Sequence, residues 1–289
     1  MRVAGGELQQ LVMRRELAGV VQLIEAGVDV NERAPDGWTA LARAVTLGDQ
    51  RLLQLLVDAG AEVDRCCSFS ESAAGRLLDP SLRFLRSQPE LNPLRNNGWT
   101  PLLEAVRLGH RPVVEWLLWQ GADVNRSCVL GGTPLMESAR LGSAGIARDL
   151  LENGALVDAR DRRGRTALHL ACLRGFETVV KLLVEWFADL TARDAAGMDA
   201  LMCAARFDGD LLRILLRNGA DAAAVNARGD SALLRAVQAA NLVGVEVLLQ
   251  YGADAMLTTA EGDRIRRVAE QGSSLAIRRI LCGSTEGGE

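Results

Sequence analysis

The sequence repeats itself about every 33 residues along most of its length, and this period restricts the fold more than any other feature. Two independent markers follow it, and both are interrupted once, by a step of 61 residues. The first marker is the residue two positions after a glycine: Thr39, Thr100, Thr133, Thr166, Asp199, Ser231 and Arg264. The second marker is the residue that ends a leucine-rich run: Gly27, Gly60, Gly121, Gly154, Phe187, Gly219 and Gly252. A shared period of this length predicts an array of similar units, each packed only on its neighbours.

Within one unit, the residue types predict a turn, a short helix, a longer helix and another turn. Asn97-Gly98 is typical of a tight turn, because both residues tolerate positive φ angles. Thr100 is suited to cap the following helix, and Pro101 fits its first position, where a missing N–H costs nothing. Gly109 and Gly121 then end the two helices. Neither helix is long enough to be stable alone, so we expect the neighbouring units to hold both in place.

Four stretches of the sequence share one pattern: Gly98-Trp99-Thr100-Pro101-Leu102, Gly132-Thr133-Pro134-Leu135, Gly164-Arg165-Thr166-Ala167-Leu168-His169 and Gly121-Ala122-Asp123-Val124-Asn125. With these stretches, the chain resembles the ankyrin repeat family over roughly residues 8–282. The resemblance implies an all-α fold, namely an α-solenoid of stacked ankyrin-type helix-turn-helix repeats with short β-hairpin fingers. It also implies that the chain binds another protein. Asp199, Arg264 and Phe187 depart from the family pattern, and we expect local irregularities there.

The period also predicts how the chain is divided. We expect an N-terminal capping repeat at 1–33, a C-terminal capping repeat at 259–282 and a disordered tail at 283–289. Full ankyrin repeats are expected at 34–65, 95–127, 128–160, 161–193, 194–225 and 226–258.

The interruption at residues 66–94 has two interpretations. The 61-residue step is 28 residues longer than the period, and Glu90-Leu91-Asn92 falls where Asp123-Val124-Asn125 stands in the next repeat. This register favours a degenerate ankyrin repeat that has lost five residues from its finger. The alternative is an insertion used for binding.

The sequence contains no arrangement that predicts catalysis. We interpret His169, in Thr166-Ala167-Leu168-His169, as a structural residue, since in the ankyrin family this histidine hydrogen-bonds to a finger. His110 is also interpreted as structural, and no Ser or Cys is placed to form a triad with either histidine. Phosphate-binding and dinucleotide-binding glycine motifs are absent. We therefore predict no catalytic residues, no metal and no cofactor.

Cysteine usage and hydropathy indicate the compartment. None of the six cysteines forms a C-x-x-C pair, so we expect reduced thiols, with the adjacent Cys66 and Cys67 as the pair worth testing for oxidation. No run approaches the length of an apolar membrane helix, and Met1 to Gln10 lacks the apolar core of a signal peptide. These features predict a monomer located in the cytoplasm, the nucleus or both.

Two tryptophans are candidate partner-binding residues. Trp38 and Trp99 each stand directly before a capping threonine, on a finger, where other repeats carry residues such as Gly132 or Asp230. A tryptophan is therefore not needed to build the repeat, and exposed tryptophans are frequent hot spots of binding. The alternative is a ring packed flat on the neighbouring finger.

Arginines form the second candidate surface. Arg107, Arg140 and Arg206 recur at one repeat position, seven residues after the cap. Fingers and a helix end add Arg162, Arg163, Arg165 and Arg174. Acidic residues lie mostly on second helices: Glu115, Asp149, Glu152, Glu177, Glu185 and Glu246. The small net charge of −4 is therefore expected to hide a basic groove and a more acidic back. The alternative is a solvated arginine-rich surface without a ligand.

The sequence as a whole favours a non-catalytic protein-protein interaction scaffold or adaptor. We expect it to hold a partner protein along a concave arginine-rich groove, with an acidic or phosphorylated segment favoured because guanidinium groups bind carboxylate and phosphate in bidentate fashion. The alternative function is a nucleic-acid-binding solenoid that uses the same arginines. The net charge of −4 and the single lysine, Lys181, argue against that alternative.

Overall fold

The protein is built from pairs of antiparallel helices joined by tight turns. The computed structural model describes residues 6–67, 98–207, 209–253, 265, 267–269 and 275–282. In this part of the chain the first helices are Glu7–Met13, Ala40–Leu47, Pro101–Leu108, Pro134–Leu141, Ala167–Arg174, Ala200–Ala204 and Ala232–Gln238. The second helices, of nine residues each, are Leu17–Glu25, Gln50–Asp58, Arg111–Trp119, Ala144–Glu152, Glu177–Glu185, Gly209–Arg217 and Leu242–Gln250. Leu275–Cys282 comes next and packs against Leu242–Gln250.

The helices begin where the capping residues predict. At six first helices the side chain of the cap accepts a hydrogen bond from the backbone N–H three residues later, which satisfies one of the orphan donors of the first turn. These caps are Thr39, Thr100, Thr133, Thr166, Asp199 and Ser231. Every residue of the second sequence marker that is described has a positive φ angle, including Phe187 at 59°. The all-α repeat fold predicted from the period is thus confirmed.

The fingers are tight turns in place of extended hairpins. Each is closed by a backbone bond from its first residue to its fifth, as between Asp161 N–H and Arg165 C=O at 3.0 Å or Asp194 N–H and Met198 C=O at 2.9 Å. Within the described residues, one isolated antiparallel bridge, Val225 with Ser231, is the sole β-type pairing. Side chains on the fingers are therefore positioned by turn geometry and by the helices that come after them.

The chain divides into two compact units, each with its own apolar interior. Unit 1 comprises residues 1–138 and 145–156, and unit 2 comprises residues 139–144 and 157–289. The fully buried side chains of unit 1 include Leu41, Leu52, Leu102, Leu117 and Leu150. Those of unit 2 include Leu168, Val180, Leu183, Leu212 and Leu248. Burial of these aliphatic side chains between successive repeats supplies the stability that the short helices lack alone.

The repeats on the two sides of the interruption pack directly on each other. Helix Ala40–Leu47 packs against helix Pro101–Leu108, as first helices of consecutive repeats do elsewhere in the chain. The ring nitrogen Nδ1 of His110 also lies 3.3 Å from the carbonyl oxygen of Val45. These two repeats are therefore neighbours within unit 1.

A row of polar side chains confirms that neighbour relation. Asp64 accepts hydrogen bonds of 3.0 and 3.2 Å from the backbone N–H of Asp123. The same bond joins consecutive repeats in the pairs Asn31–Glu62, Asn125–Leu156 and Asp158–Asp189. The Asp64 bond spans 59 residues of sequence where the others span 31.

The interruption of the sequence falls within one finger. Cys67 N–H donates to Trp99 C=O at 2.7 Å, and Gly98 N–H donates to Cys67 C=O at 3.0 Å. In the finger one repeat earlier, the equivalent bonds join Ala34 with Trp38 and Ala34 with Gly37. Cys67 and Trp99 therefore form the base of one finger.

The predicted segment 66–94 lies outside the described residues, apart from Cys66 and Cys67. Both interpretations of this segment, a degenerate repeat and an insertion, stay predictions. The predicted tail 283–289 and half of the predicted C-terminal capping repeat 259–282 also lie outside the described residues. The repeat boundaries themselves stay predictions.

Candidate functional site

Several arginines bind backbone carbonyls of the next repeat. Arg160 Nη1 donates to Arg193 C=O at 2.7 Å, and Arg193 Nη1 donates to Val225 C=O at 2.8 Å. In unit 1, Arg33 donates to Cys66 C=O through Nε at 3.0 Å and Nη2 at 2.9 Å. These guanidinium groups hold successive fingers together, so part of the basic charge on the fingers has a structural role.

Arg165 also has a structural partner, which lies within its own finger. The carboxylate of Asp161 accepts from Arg165 Nε at 2.9 Å and Nη2 at 2.7 Å, and also from the backbone N–H groups of Arg163 and Arg165. Asp161 therefore organises the whole turn. Arg162 and Arg163, at the tip of the same finger, are exposed.

Arg107 neutralises a buried acid. Its Nε lies 2.9 Å from Glu104, whose side chain is only 2% exposed. Arg140 is half-buried and follows Glu137 at the same three-residue spacing. We predicted that Arg107, Arg140 and Arg206 form one row of groove residues, but the first of them has an intramolecular partner.

Arg206 and Arg174 are the members of the predicted set that lie exposed at the ends of first helices of unit 2. The guanidinium carbon of Arg206 lies 5.4 Å from the centre of the Phe207 ring, a cation–π distance that fixes its direction. Arg206 and Arg235 line a cavity of about 390 Å³ together with Gln238 and Ala239. Arginines from two consecutive repeats thus line one open cavity.

The tryptophans are packed into the fingers. Trp38 is half-buried, and the guanidinium carbon of Arg43 lies 5.0 Å from the centre of its ring. Trp99 is 9% exposed, at the base of the interrupted finger. This burial argues against Trp99 as a partner-binding residue and matches the alternative of a ring packed on its surroundings.

Among the described aromatic residues that were not predicted as site residues, Phe187 and Trp119 are the most exposed. The side chain of Trp119 is 79% exposed at the end of a second helix, and that of Phe187 is 90% exposed in a left-handed backbone conformation. The sequence did contain a signal for Phe187, because it replaces the glycine of the second marker.

One acidic residue of the second helices is buried and forms an ion pair within the protein. Asp149, which we predicted for an acidic back surface, is 8% exposed and pairs with Arg111 through Nε at 2.7 Å and Nη2 at 2.9 Å. Hydrogen bonding to this carboxylate raises the pKa of Arg111. Glu115, Glu152 and Glu185 are exposed, as expected.

The histidines have the structural roles that were predicted. His169 Nδ1 accepts from Thr166 N–H at 3.3 Å, and its Nε2 lies 2.9 Å from Met198 C=O in the next finger. His110 contacts the preceding repeat in the same manner, through Val45 C=O. His169 Nδ1 also lies 2.9 Å from Oγ1 of Thr166, the side chain that caps the same helix.

Most described thiols are buried and neutral. Burial raises the pKa of Cys67 and of Cys203 to about 12, and it raises the pKa of Cys172 well above 9.0. Within the described residues, no three His, Cys, Asp or Glu side chains lie together as metal ligands would. Among the described helices, none combines the length and the apolarity needed to cross a membrane.

The comparisons with known proteins agree with the repeat architecture. A family model described as ankyrin repeats (3 copies) matches residues 8–128, 118–194 and 187–259. Comparison with curated proteins gave no match. Taken with the capped helix pairs, the positive-φ glycines and the finger turns, the match over most of the chain shows that this protein belongs to the ankyrin repeat family.

Proposed function

We propose that this chain is a non-catalytic adaptor that binds an acidic segment of a partner protein through arginines on the fingers and first helices of unit 2. Ankyrin repeats generally mediate protein–protein interaction. The observation that carries the finer proposal is the set of guanidinium groups on unit 2 fingers and first helices, which we call the basic face: Arg162, Arg163, Arg174, Arg206 and Arg235.

Adjacent repeats present these groups side by side. Ala195 N–H donates to Arg163 C=O at 2.8 Å, so neighbouring finger tips are in contact. At the ends of the first helices, Arg206 and Arg235 share one cavity. A planar guanidinium binds carboxylate or phosphate in bidentate fashion, and two in one cavity suit an anionic side chain.

The basic face is narrower than the set predicted from the sequence. Arg107 and Arg165 neutralise Glu104 and Asp161, so both are assigned to stability. Reversal of Arg107 would leave a buried carboxylate without its partner and would confuse binding with folding. Arg140 and Trp38 stay candidate contacts outside the basic face.

The proposal is tested by charge reversal in a partner-binding assay. A partner is first captured by proximity labelling, and its dissociation constant is then measured by calorimetry for wild type and for the double variant Arg163→Glu with Arg206→Glu. Each lost guanidinium contact should cost about 1.5 to 3 kcal/mol, so we expect affinity to fall by well over tenfold.

The matched control is Arg148→Glu with Arg217→Glu, which makes the same charge change on exposed positions of second helices. We expect this control to leave affinity almost unchanged. Equal losses in both double variants would show a general charge effect, and no loss in either would exclude the basic face.

The nucleic-acid alternative is separated by salt dependence. Phosphate contacts make affinity for DNA or RNA fall steeply with salt, in proportion to the number of contacts. We expect no binding of a single-stranded oligonucleotide at physiological salt. Tight, salt-sensitive binding that the reversal of Arg163 and Arg206 abolishes would replace the protein partner with nucleic acid.

A further inference from the structure

Residues from three consecutive repeats of unit 1 line an open basic cavity that includes a cysteine. The cavity has a volume of about 480 Å³. The residues that line it are distant in sequence from those of the basic face. Its lining residues are Arg33, Glu62, Val63, Asp64, Arg65, Cys66 and Arg126. Three guanidinium groups against two carboxylates leave it with a net positive charge.

Both the main chain and the side chain of Cys66 form hydrogen bonds with residues that line this cavity. Its carbonyl oxygen accepts both hydrogen bonds from Arg33, at 3.0 and 2.9 Å. Its Sγ donates to Asp64 C=O at 3.7 Å, and Arg126, which comes from the next repeat, lines the same cavity. A guanidinium beside sulfur stabilises the negative charge that develops when a thiol loses its proton and attacks. Cys66 is also partly exposed, so a reagent can reach it.

The cavity retains an unused donor for an anion. Arg65 Nη1 lies 3.1 Å from Glu62, but the Nε of the same side chain is buried without a hydrogen-bond partner. Buried donors of this kind favour an acceptor of opposite charge. The cavity therefore combines a positioned sulfur with cationic groups that suit the carboxylates of an incoming molecule.

None of the other described thiols both is partly exposed and lines this cavity. Cys67, Cys172 and Cys203 are buried, whereas Cys128 is partly exposed but lies outside this cavity. Because the neighbouring Cys67 has its pKa raised to about 12 by burial, it is a poor nucleophile for displacing a group attached to Cys66.

We propose that Cys66 is a modification site that forms a mixed disulfide with an anionic low-molecular-weight disulfide of the glutathione class. The Cys66 thiolate attacks one sulfur of the disulfide, and a new S–S bond forms as the old one breaks. The other half leaves as a thiolate and takes up the proton that Cys66 released. The incoming disulfide is the oxidant, so no further reagent is needed.

The test compares disulfides of opposite charge on the full chain. Wild-type protein is incubated with oxidised glutathione, which is anionic, or with cystamine, which is cationic, and the adduct is located by mass spectrometry of peptides. Small hydroxyethyl disulfide serves as the neutral reference. Relative to that reference, we expect Cys66 to react on the order of tenfold faster with oxidised glutathione and more slowly with cystamine.

Variants then assign the effect to the cavity. Cys66→Ser should remove the first adduct, and Arg126→Gln should bring the rates for the two charged reagents close together. Arg148→Gln, an exposed arginine on a second helix of unit 1, is the matched control and should keep the preference. Modification of Cys128 before Cys66, or equal rates with both reagents in wild type, would overturn the proposal. These readouts do not depend on a protein partner, so they stand or fall separately from the basic face.

Discussion

Single capping side chains accept hydrogen bonds at the start of six first helices, and Asp199 is the charged one among these six. Its carboxylate accepts from Met202 N–H at 2.8 Å, as the neutral caps Thr166 and Ser231 do at their own helices. Asp199 is 5% exposed, and burial raises its pKa above the ordinary value of 3.8. The folded state therefore bears a cost for the charged form that a hydroxyl cap avoids.

We expect Asp199→Thr to raise the free energy of unfolding at neutral pH, by up to about 1 kcal/mol. Since the folded-state pKa of Asp199 is raised, wild type binds a proton more readily when folded. Its stability relative to the variant should increase as pH falls from that raised pKa towards 3.8. Urea denaturation over a pH series measures this difference. A constant difference at all pH values would contradict the assignment, and Ser231→Thr serves as the pH-independent control.

Phe187 carries backbone strain at a position that glycine fills in the other described repeats. Its φ angle is 59°, where a side chain costs roughly 1 to 2 kcal/mol relative to glycine. Because the ring is 90% exposed, burial of its apolar surface offsets little of this strain energy. We expect Phe187→Gly to raise the free energy of unfolding by about 1 kcal/mol in chemical denaturation.

The reverse change at Gly219 is the control for Phe187. Gly219 has a φ angle of 97°, and a Cβ atom added there would contact nothing within 4 Å. Gly219→Phe should therefore destabilise the protein through the backbone alone. If Phe187→Gly lowers stability instead, the aromatic ring has a packing role that outweighs the strain.

At the scale of elements, the interrupted finger has the same base as an ordinary one. Cys67 and Trp99 make the bond that Ala34 and Trp38 make, and the helices on either side are in direct contact. Residues 68–97 should therefore be replaceable by a two-residue tip like Pro35-Asp36 without loss of the stack.

We expect this replacement to keep the helical circular dichroism and to raise the free energy of unfolding by up to about 2 kcal/mol, because a shorter loop loses less entropy on closure. A control that deletes residues 95–127, one predicted repeat, should instead remove stacked helices and lower stability. Loss of helical signal or of cooperative unfolding in the short-tip variant would show that residues 68–97 contribute to the core.

The interruption also shows what the sequence can and cannot decide. A step of 61 residues favours a shortened repeat through its internal register but is also compatible with an insertion, since both preserve the register of the later repeats. The bond between Cys67 and Trp99, which closes the base of the finger, joins residues that are remote in sequence, so the sequence alone did not predict it. The helix starts were predictable because each cap acts on a backbone group three residues away.

The contacts of the candidate site were also predictable from the sequence only in part. Spacing of three residues places Glu104 beside Arg107 on one helix, so this pair was visible in the sequence. Arg160 and Arg193, in contrast, bind carbonyls 33 and 32 residues away, which requires the geometry between repeats. Charge counting alone therefore overestimated the number of arginines available to a partner.

At the scale of the whole molecule, stability is a sum over repeats and their interfaces, so damage should be local. Leu117 and Leu150 in unit 1 and Leu183 in unit 2 are fully buried at equivalent positions of second helices. We expect replacement of any one by alanine to cost roughly 2 to 5 kcal/mol.

Hydrogen exchange of the backbone amides locates that cost. Leu183→Ala should accelerate exchange chiefly in unit 2, and Leu117→Ala chiefly in unit 1. Uniform acceleration throughout the described helices would indicate a single cooperative unit, and unchanged melting and exchange in all three variants would show that the repeat register is wrong.

The arginine contacts between fingers have a consequence for how such a chain can grow. Arg33, Arg160 and Arg193 all donate to a main-chain carbonyl of the following repeat. Every amino acid carries that acceptor, so the bond places no demand on the identity of the receiving residue. A gene duplication that copies one such segment therefore also copies the arginine that makes this contact. The copied repeat can then form the same hydrogen bond with the next repeat, whatever residue supplies the carbonyl.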